Sequence, residues 1–326
     1  TTARAQGHDA IGLADANTMA GIVRLHTEAR ALGLHAIIGC RIETVEGLEF
    51  LAYPEDRAAY GRLCRLISAG RMARPDGTWQ AKGACEITLA MLADHATGVH
   101  LVLVPPADPD RAFTITVPGN VVPLAPGVQA PPVEMTAPFA ELLSRLVARL
   151  PGLRHLAAAC LYTGNDIARI DRLDELARAH GLSLLATNLQ LYHAPHRRPL
   201  HDVMTAIRHR PTVAAAGHLL QPHAERHLKS PAEMARLFAR WPHAITATRE
   251  LADACRFSLD DLSYEYPEEI CPGGLDPQAH LENLTWQGAA ERWPDGTPAA
   301  VRDTLARELA LIGKLSLARY FLTIKD

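Results

Sequence analysis

The stretch "IDRLDELARAHGLSLLATN", residues 170–188, contains a helix pattern followed by a strand pattern. Its first apolar residues recur at helical spacing: Ile170, Leu173 and Ala177. Gly181 then stands where the helix should end, and the apolar run at 183–188 is typical of a buried strand that ends in polar Thr187 and Asn188. Because α/β proteins bind ligands at the carboxyl ends of strands, the stretch predicts a helix–strand unit with a candidate site beside residue 188.

The same alternation recurs along the chain. Further short apolar runs occupy residues 10–14, 35–40, 49–53, 100–104 and 153–160. Helical patterns separate the first two runs (Met19, Ile22, Val23, His26) and the third and fourth (Tyr60, Leu63, Cys64, Ile67). This order predicts an α/β fold with a largely parallel sheet or barrel.

Two regions depart from the alternation. Residues 105–138 contain nine prolines, which predicts an irregular surface insertion. After residue 188 the pattern is mainly helical, with helix starts predicted where a capping residue precedes proline: Ser230-Pro231, Asp276-Pro277 and Thr297-Pro298. One later helix should bury a single apolar stripe made of Val301, Leu305, Leu309 and Ile312.

Composition excludes several classes of protein. The 326 residues are 48% hydrophobic and 21% charged, as in globular domains, and no apolar stretch approaches the roughly 20 residues that span a bilayer. The net charge of -3 argues against a surface that coats nucleic acid, although it leaves a local basic groove open. Six cysteines without a CxxC pair favour a reduced, cytoplasmic setting, and no glycine-rich phosphate loop or GxSxG motif is present.

Candidate metal ligands are few. His223 and His227 have the i, i+4 spacing of a helical metal pair, but without a third ligand we interpret them as a solvated pair. A second group, made of His193, His196 and His201, is interpreted as an exposed loop. Asp15 ends the first predicted strand and could bind a cation; without partners, a helix N-cap or turn residue ahead of a helix near Asn17 is the favoured interpretation.

Seven segments, taken together, resemble the amino-terminal part of bacterial C-family DNA polymerases, above all their error-prone, damage-inducible branch. They are GLADANTMAG, HAIIGCRIE, YPEDRAAYGRLCRLIS, LLATNLQLYHAPHRRPLHDVMTAIR, RHLKSPAEMARLF, LSYEYPEE and ARYFLTIKD. The resemblance implies a PHP (polymerase and histidinol phosphatase) domain over residues 1–262, folded as a distorted (β/α)7 barrel lacking its first strand, which would precede Thr1. Residues 263–326 would then be the mainly helical beginning of the polymerase palm.

The resemblance also implies where metal ligands should lie, since active PHP domains hydrolyse phosphoesters with a cluster of bound metals. Asp15 matches a family ligand, but the histidine that usually follows it is Ala16, and the expected glutamate is Arg41. Leu189 and Leu191 occupy two further ligand positions, and His193 lies two residues beyond the family's histidine. Alanine and leucine offer no donor atom, and arginine repels a cation. We therefore expect a vestigial site with no bound metal and no catalytic residue.

The function that follows is a noncatalytic PHP scaffold of an error-prone translesion polymerase. The full-length protein would be a DNA-directed DNA polymerase (a nucleotidyltransferase) of damage-induced mutagenesis and DNA repair that requires Mg²⁺, with its reactive aspartates downstream of Asp326. Expected partners are the rest of the polymerase chain, DNA and damage-tolerance accessory proteins, and no membrane. Two alternatives stay open: a metal-dependent phosphoesterase or 3'-5' exonuclease, and a module that docks other damage-tolerance proteins.

Overall fold

The computed structural model describes residues 1–72, 79–117, 133–262 and 274–325. The chain divides into two compact units, Thr1–Leu262 and Ser263–Asp326. This division lies at the same residue as the boundary that the resemblance implies. The identity of the units as PHP domain and palm stays a prediction.

The first unit is built on a six-stranded sheet with the order β1-β2-β3-β4-β7-β8. Its strands are β1 Ala10–Ala16, β2 His35–Glu43, β3 Glu49–Pro54, β4 Val99–Val104, β7 Leu153–Ala158 and β8 Ser183–Ala186. All six strands that the apolar runs predict are therefore present. Five of them run in one direction, so their carboxyl ends meet at one edge of the sheet.

The exception is β3, which pairs antiparallel with both β2 and β4. Only the five residues 44–48 connect β2 to β3, and the amide of Thr44 donates to the carbonyl of Leu48 across this turn. A parallel pair needs a crossover of about a dozen residues. A connection of five residues therefore forces a hairpin. The sheet is therefore largely parallel, as predicted, with β3 as its antiparallel strand.

Helices cover both faces of the sheet. In chain order they are α1 Thr2–Ala5, α2 Ile22–Ala31, α3 Arg57–Arg71, α4 Leu89–His95, α5 Phe139–Arg149, α6 Asp166–Ala179, α7 Arg198–His209, α8 Pro231–Leu237 and α9 Pro242–Ala254. The main core lies between one face and α3, α5 and α6, where Ile170, Leu173 and Ala177 are fully buried as their spacing predicts. On the opposite face α9 packs Leu251 against a second cluster that includes Leu51, Val102 and Leu185.

The proline-rich region contains regular structure that its prolines concealed. Strands β5 Phe113–Val117 and β6 Val133–Ala137 pair antiparallel, and the hydroxyls of Thr114 and Thr136 lie 2.9 Å apart across the pair. Residues 118–132 lie outside the described residues. The prediction of an irregular insertion was therefore wrong for these ten residues, because their β-branched and apolar side chains favour strands and β5 and β6 contain no proline.

The second unit contains α10 Pro277–Arg292, α11 Ala299–Lys314 and α12 Ala318–Lys325. Its core consists of Leu281, Leu309, Ala318 and Leu322, with Ile312 packed against it, so two residues of the predicted stripe are confirmed there. Among the described residues no helix is both long and apolar enough to cross a membrane.

Two of the three predicted helix starts are confirmed. The Ser230 hydroxyl accepts from the amide of Glu233 at α8, and the Asp276 carboxylate accepts from that of Gln278 at α10. The start at Thr297 was wrong: Pro298 has an extended ψ of 142° and itself precedes the first helical residue, Ala299.

Candidate metal centre

The positions that the resemblance assigns to metal ligands lie at the edge where the five codirectional strands end. Asp15 and Ala16 close β1 and pair with Cys40 and Arg41 of β2. Leu189 follows β8 at the same edge. The fold thus brings together the ends of the strands that carry these positions, as the resemblance implies.

Arg41 forms ion pairs along the sheet. Its guanidinium nitrogens lie 3.3 Å from a Glu43 carboxylate oxygen and 3.5 Å from one of Glu49. The side chain is half-buried, and burial raises the pKa of Glu49 while the positive charge of Arg41 opposes that rise. Position 41, where the resemblance implies a metal-binding carboxylate, therefore carries a cation with its own internal partners.

A second arginine, Arg226, lies at the same edge. Its Nε and Nη2 donate to the Leu189 carbonyl at 2.9 and 2.6 Å. Burial lowers the pKa of Arg226, the charge of Glu49 opposes this effect, and Arg41 adds to it. The sequence did not predict the role of Arg226. The only pattern in residues 223–227 is the spacing of two histidines, and no local spacing connects residue 226 with residue 189.

The backbone of Leu189 is left-handed, with φ of 42°. This conformation is uncommon for a residue with a branched side chain and has to be held by its surroundings. Here the amide of Leu189 bonds to the Thr187 hydroxyl, its carbonyl accepts from Arg226, and its side chain packs against the apolar cluster under α9. The Leu189 side chain thus fills apolar space.

The chain beyond β8 pairs with the segment that carries Arg226. The buried Asn188 amide donates to the carbonyls of Glu225 and His227, and the amide of Leu191 donates to the carbonyl of Arg226. These bonds fix residues 188–192 beside residues 225–228. Leu191 is consequently held by its backbone in this pairing.

Asp15 lies within strand β1, so its interpretation as a helix N-cap or turn residue was wrong. The helix α2 begins at Ile22, later than expected, and its N-cap is Gly21 without a side-chain bond. The Asp15 carboxylate lies against Gly21, where an added Cβ would come within 2.7 Å of its Oδ2. Asn17 forms the turn, with φ of 48°, and its side chain exchanges hydrogen bonds with the backbone of Glu43.

The histidines have structural partners. His223 lies 2.8 Å from the Leu161 carbonyl and His227 lies 3.0 Å from that of Ala224; both are half-buried outside any helix, so the prediction of a solvated pair was wrong. Local spacing gave no sign of these contacts.

The second histidine group is divided between loop and helix. His193 and His196 are exposed before α7, as predicted, whereas His201 lies within α7 with its ring 5.8 Å from that of Tyr192. The loop interpretation therefore holds for His193, whereas His196 lies in the exposed 3-10 turn Pro195–Arg197.

The residues at this edge do not fit a metal cluster. Among the described residues no group of three or more His, Cys, Asp and Glu side chains is arranged to hold a metal ion. Arg41 and Arg226 instead place two guanidinium groups at this edge, and a guanidinium cannot act as a Lewis acid toward a phosphoester.

Comparison with known proteins agrees with this architecture. The family model described as the PHP domain matches residues 1–115. The amino-terminal 115 residues of the chain are thus similar to PHP domains.

Relatives carry the comparison over the rest of the chain. A protein of Caulobacter vibrioides named error-prone DNA polymerase is 38% identical over 326 residues, which is 100% of this chain and 27% of that protein. One of Bradyrhizobium diazoefficiens with the same name is 42% identical over 98% of this chain and 26% of its own length. The chain is thus a homologue of the error-prone DNA polymerases and spans about a quarter of their length.

A solved structure is matched more distantly. It is a protein of Bifidobacterium adolescentis for which metal-dependent phosphoesterase activity has been suggested, with a TM-score of 0.37 and 16% identity over 56% of this chain and 78% of that one. A similarity of this size adds nothing to the assignment of the site.

Proposed function

We propose that the chain is the noncatalytic PHP scaffold of an error-prone translesion DNA polymerase. The observation that carries the proposal is the guanidinium of Arg226 on the Leu189 carbonyl, beside Arg41, at the edge where the family places its metals. A site with internal cations and apolar side chains at its ligand positions offers nothing to activate a water molecule. The names of the relatives support the polymerase part of the proposal.

The second unit would be the beginning of the palm. Its three described helices bury a small core of their own, which suits a segment that continues into a larger domain. In the full-length protein, Mg²⁺ would serve nucleotide addition at aspartates outside this chain, in the cytoplasm. Besides DNA, damage-tolerance accessory proteins would be partners of the whole protein.

Primer extension by the full-length protein tests this function. We expect extension across an abasic template site, with Asp15→Ala and the matched Asp15→Asn variant close to wild type, because Asp15 is an isolated remnant of the site. Loss of extension in a folded Asp15→Ala protein would contradict the scaffold role. Absence of extension by the wild-type protein would contradict the polymerase assignment.

The alternative is a metal-dependent phosphoesterase or 3'-5' exonuclease, with which the match to the PHP family model is compatible. This activity would need ligands that Ala16, Arg41, Leu189 and Leu191 do not provide. Hydrolysis of a 3'-terminal nucleotide that requires an added metal and is lost in Asp15→Ala would establish the alternative.

A further inference from the structure

Helix α7 presents its large apolar side chains to solvent. Leu200, Val203, Met204 and Ile207 recur at i, i+3, i+4 and i+7, and 48%, 45%, 60% and 73% of each is exposed. We call these four residues the α7 stripe. The opposite face of α7, which is turned toward the rest of the first unit, carries smaller or more polar residues, among them His201 and buried Ala206. An amphipathic helix normally turns its apolar stripe toward the core, so the orientation of α7 is the reverse of that arrangement.

Positive charge flanks the α7 stripe at both ends. Arg197 precedes the helix, while Arg208 and Arg210 follow the stripe, and all three are exposed. The only acidic residue of α7, Asp202, lies 3.5 Å from Arg198, which offsets its charge. A partner surface must therefore bury four apolar side chains and place negative charge near both ends of the helix.

We propose that the α7 stripe docks into an apolar groove with an acidic rim on the polymerase part of the full-length protein. This inference rests on the proposed function, because the occupant is carried on the same polypeptide. The chain spans 27% of the length of such a relative, so under the proposed function most of the protein that could cover the stripe is sequence other than that described here. Exposed apolar patches rimmed by polar residues mark interaction sites of this sort.

Charge disfavours a second copy of the chain as the occupant. In an antiparallel pairing of two stripes, Arg197 of one copy would approach Arg208 and Arg210 of the other. In a parallel pairing, each arginine would approach its own counterpart. Both arrangements bring like charges together at the rim. DNA is disfavoured because a phosphodiester backbone cannot bury the four apolar side chains between the arginines.

Thiol accessibility in the full-length protein tests the docking. Ile207→Cys places a thiol at the most exposed position of the α7 stripe, and Glu250→Cys places one at an exposed position of α9 as the matched control. We expect a maleimide to modify Cys at 207 roughly tenfold or more slowly than at 250, because modification then waits for the interface to open. Arg208→Glu should raise the rate at position 207 by opposing the acidic rim.

Other results would overturn the proposal. Equal rates at the two positions would show that the α7 stripe stays in solvent. Protection that disappears on dilution, together with a dimer in gel filtration, would identify a second copy as the occupant. Protection that appears only after phosphatidylglycerol vesicles are added would identify a lipid surface. If primer extension persists in any of these cases, the docking proposal fails while the proposed function stands. If the wild-type protein does not extend primers, the proposed function itself fails.

Discussion

Replacing Arg226 by methionine removes both hydrogen bonds to the Leu189 carbonyl and keeps an unbranched side chain in the same space. A part-buried carbonyl left without a donor costs about 1–3 kcal/mol, and hydrogen bonds from charged donors contribute roughly 1.5–3 kcal/mol each at most. The two bonds share one acceptor, and the guanidinium itself is desolvated, which reduces the sum. We expect Arg226→Met to lower the free energy of unfolding by about 2 kcal/mol.

Urea unfolding followed by circular dichroism measures this loss. A change of about 2 kcal/mol should move the urea midpoint while leaving the slope unchanged, since the buried area is nearly the same. The control is Arg240→Met, which removes an arginine whose side chain is 63% exposed and donates two hydrogen bonds to Asp171, so its loss should cost about 1 kcal/mol. Arg226→Lys should fall between the two, since ammonium retains the charge without the planar fork. Equal midpoints for Arg226→Met and Arg240→Met would refute the role of Arg226.

Three further predictions concern the first unit. Burial, and after it the charge of nearby His100, lowers the pKa of His155 from 6.5 to about 4. The stability that neutral His155 contributes should therefore be fully present above pH 6.5 and be lost as the pH falls toward 4. In pH-dependent thermal melts His155→Gln should reduce this loss of melting temperature at acidic pH, and an unchanged loss would contradict the prediction. Gly39→Ala places a Cβ 2.5 Å from the Tyr53 ring and should lower the free energy of unfolding in urea by roughly 1–3 kcal/mol. The control Gly288→Ala adds a Cβ in open space on α10 and should not lower it. Similar losses for the two variants would refute the crowding of Gly39. Leu189→Asp should unfold at a lower temperature than Leu189→Asn. Both new residues tolerate the left-handed backbone, but only aspartate buries a charge. Identical melting temperatures would count against an apolar role for this position.

The strands and their order of appearance were predictable because buried strands need continuous apolar runs, and each such run became a strand. The helix beginning near Asp166 was equally readable, since Ile170, Leu173 and Ala177 must share one buried face. Pairing direction was harder to predict. The reversal of β3 depends on the five-residue connection after Glu43. The pairing of β5 with β6 depends on contacts between residues sixteen or more positions apart in the chain.

The candidate site was predictable only at the positions that a known motif defines. Ala16, Arg41, Leu189 and Leu191 could be identified because the resemblance assigns them roles. Arg226 could not, since its contact with Leu189 joins residues 37 positions apart through the tertiary fold. The N-cap interpretation of Asp15 failed for a related reason: the turn at Asn17 delays the start of α2 to Ile22.

The metal content of the full-length protein tests the central claim most directly. The protein would be incubated with Zn²⁺, Mn²⁺ or Fe²⁺, dialysed and measured by plasma mass spectrometry, with hydrolysis of bis-p-nitrophenyl phosphate followed in the same samples. A vestigial site occupied by Arg41 and Arg226 predicts metal well below stoichiometric and no hydrolysis, in protein that still extends primers with Mg²⁺. Stoichiometric metal that is lost in Asp15→Ala together with hydrolysis would contradict it.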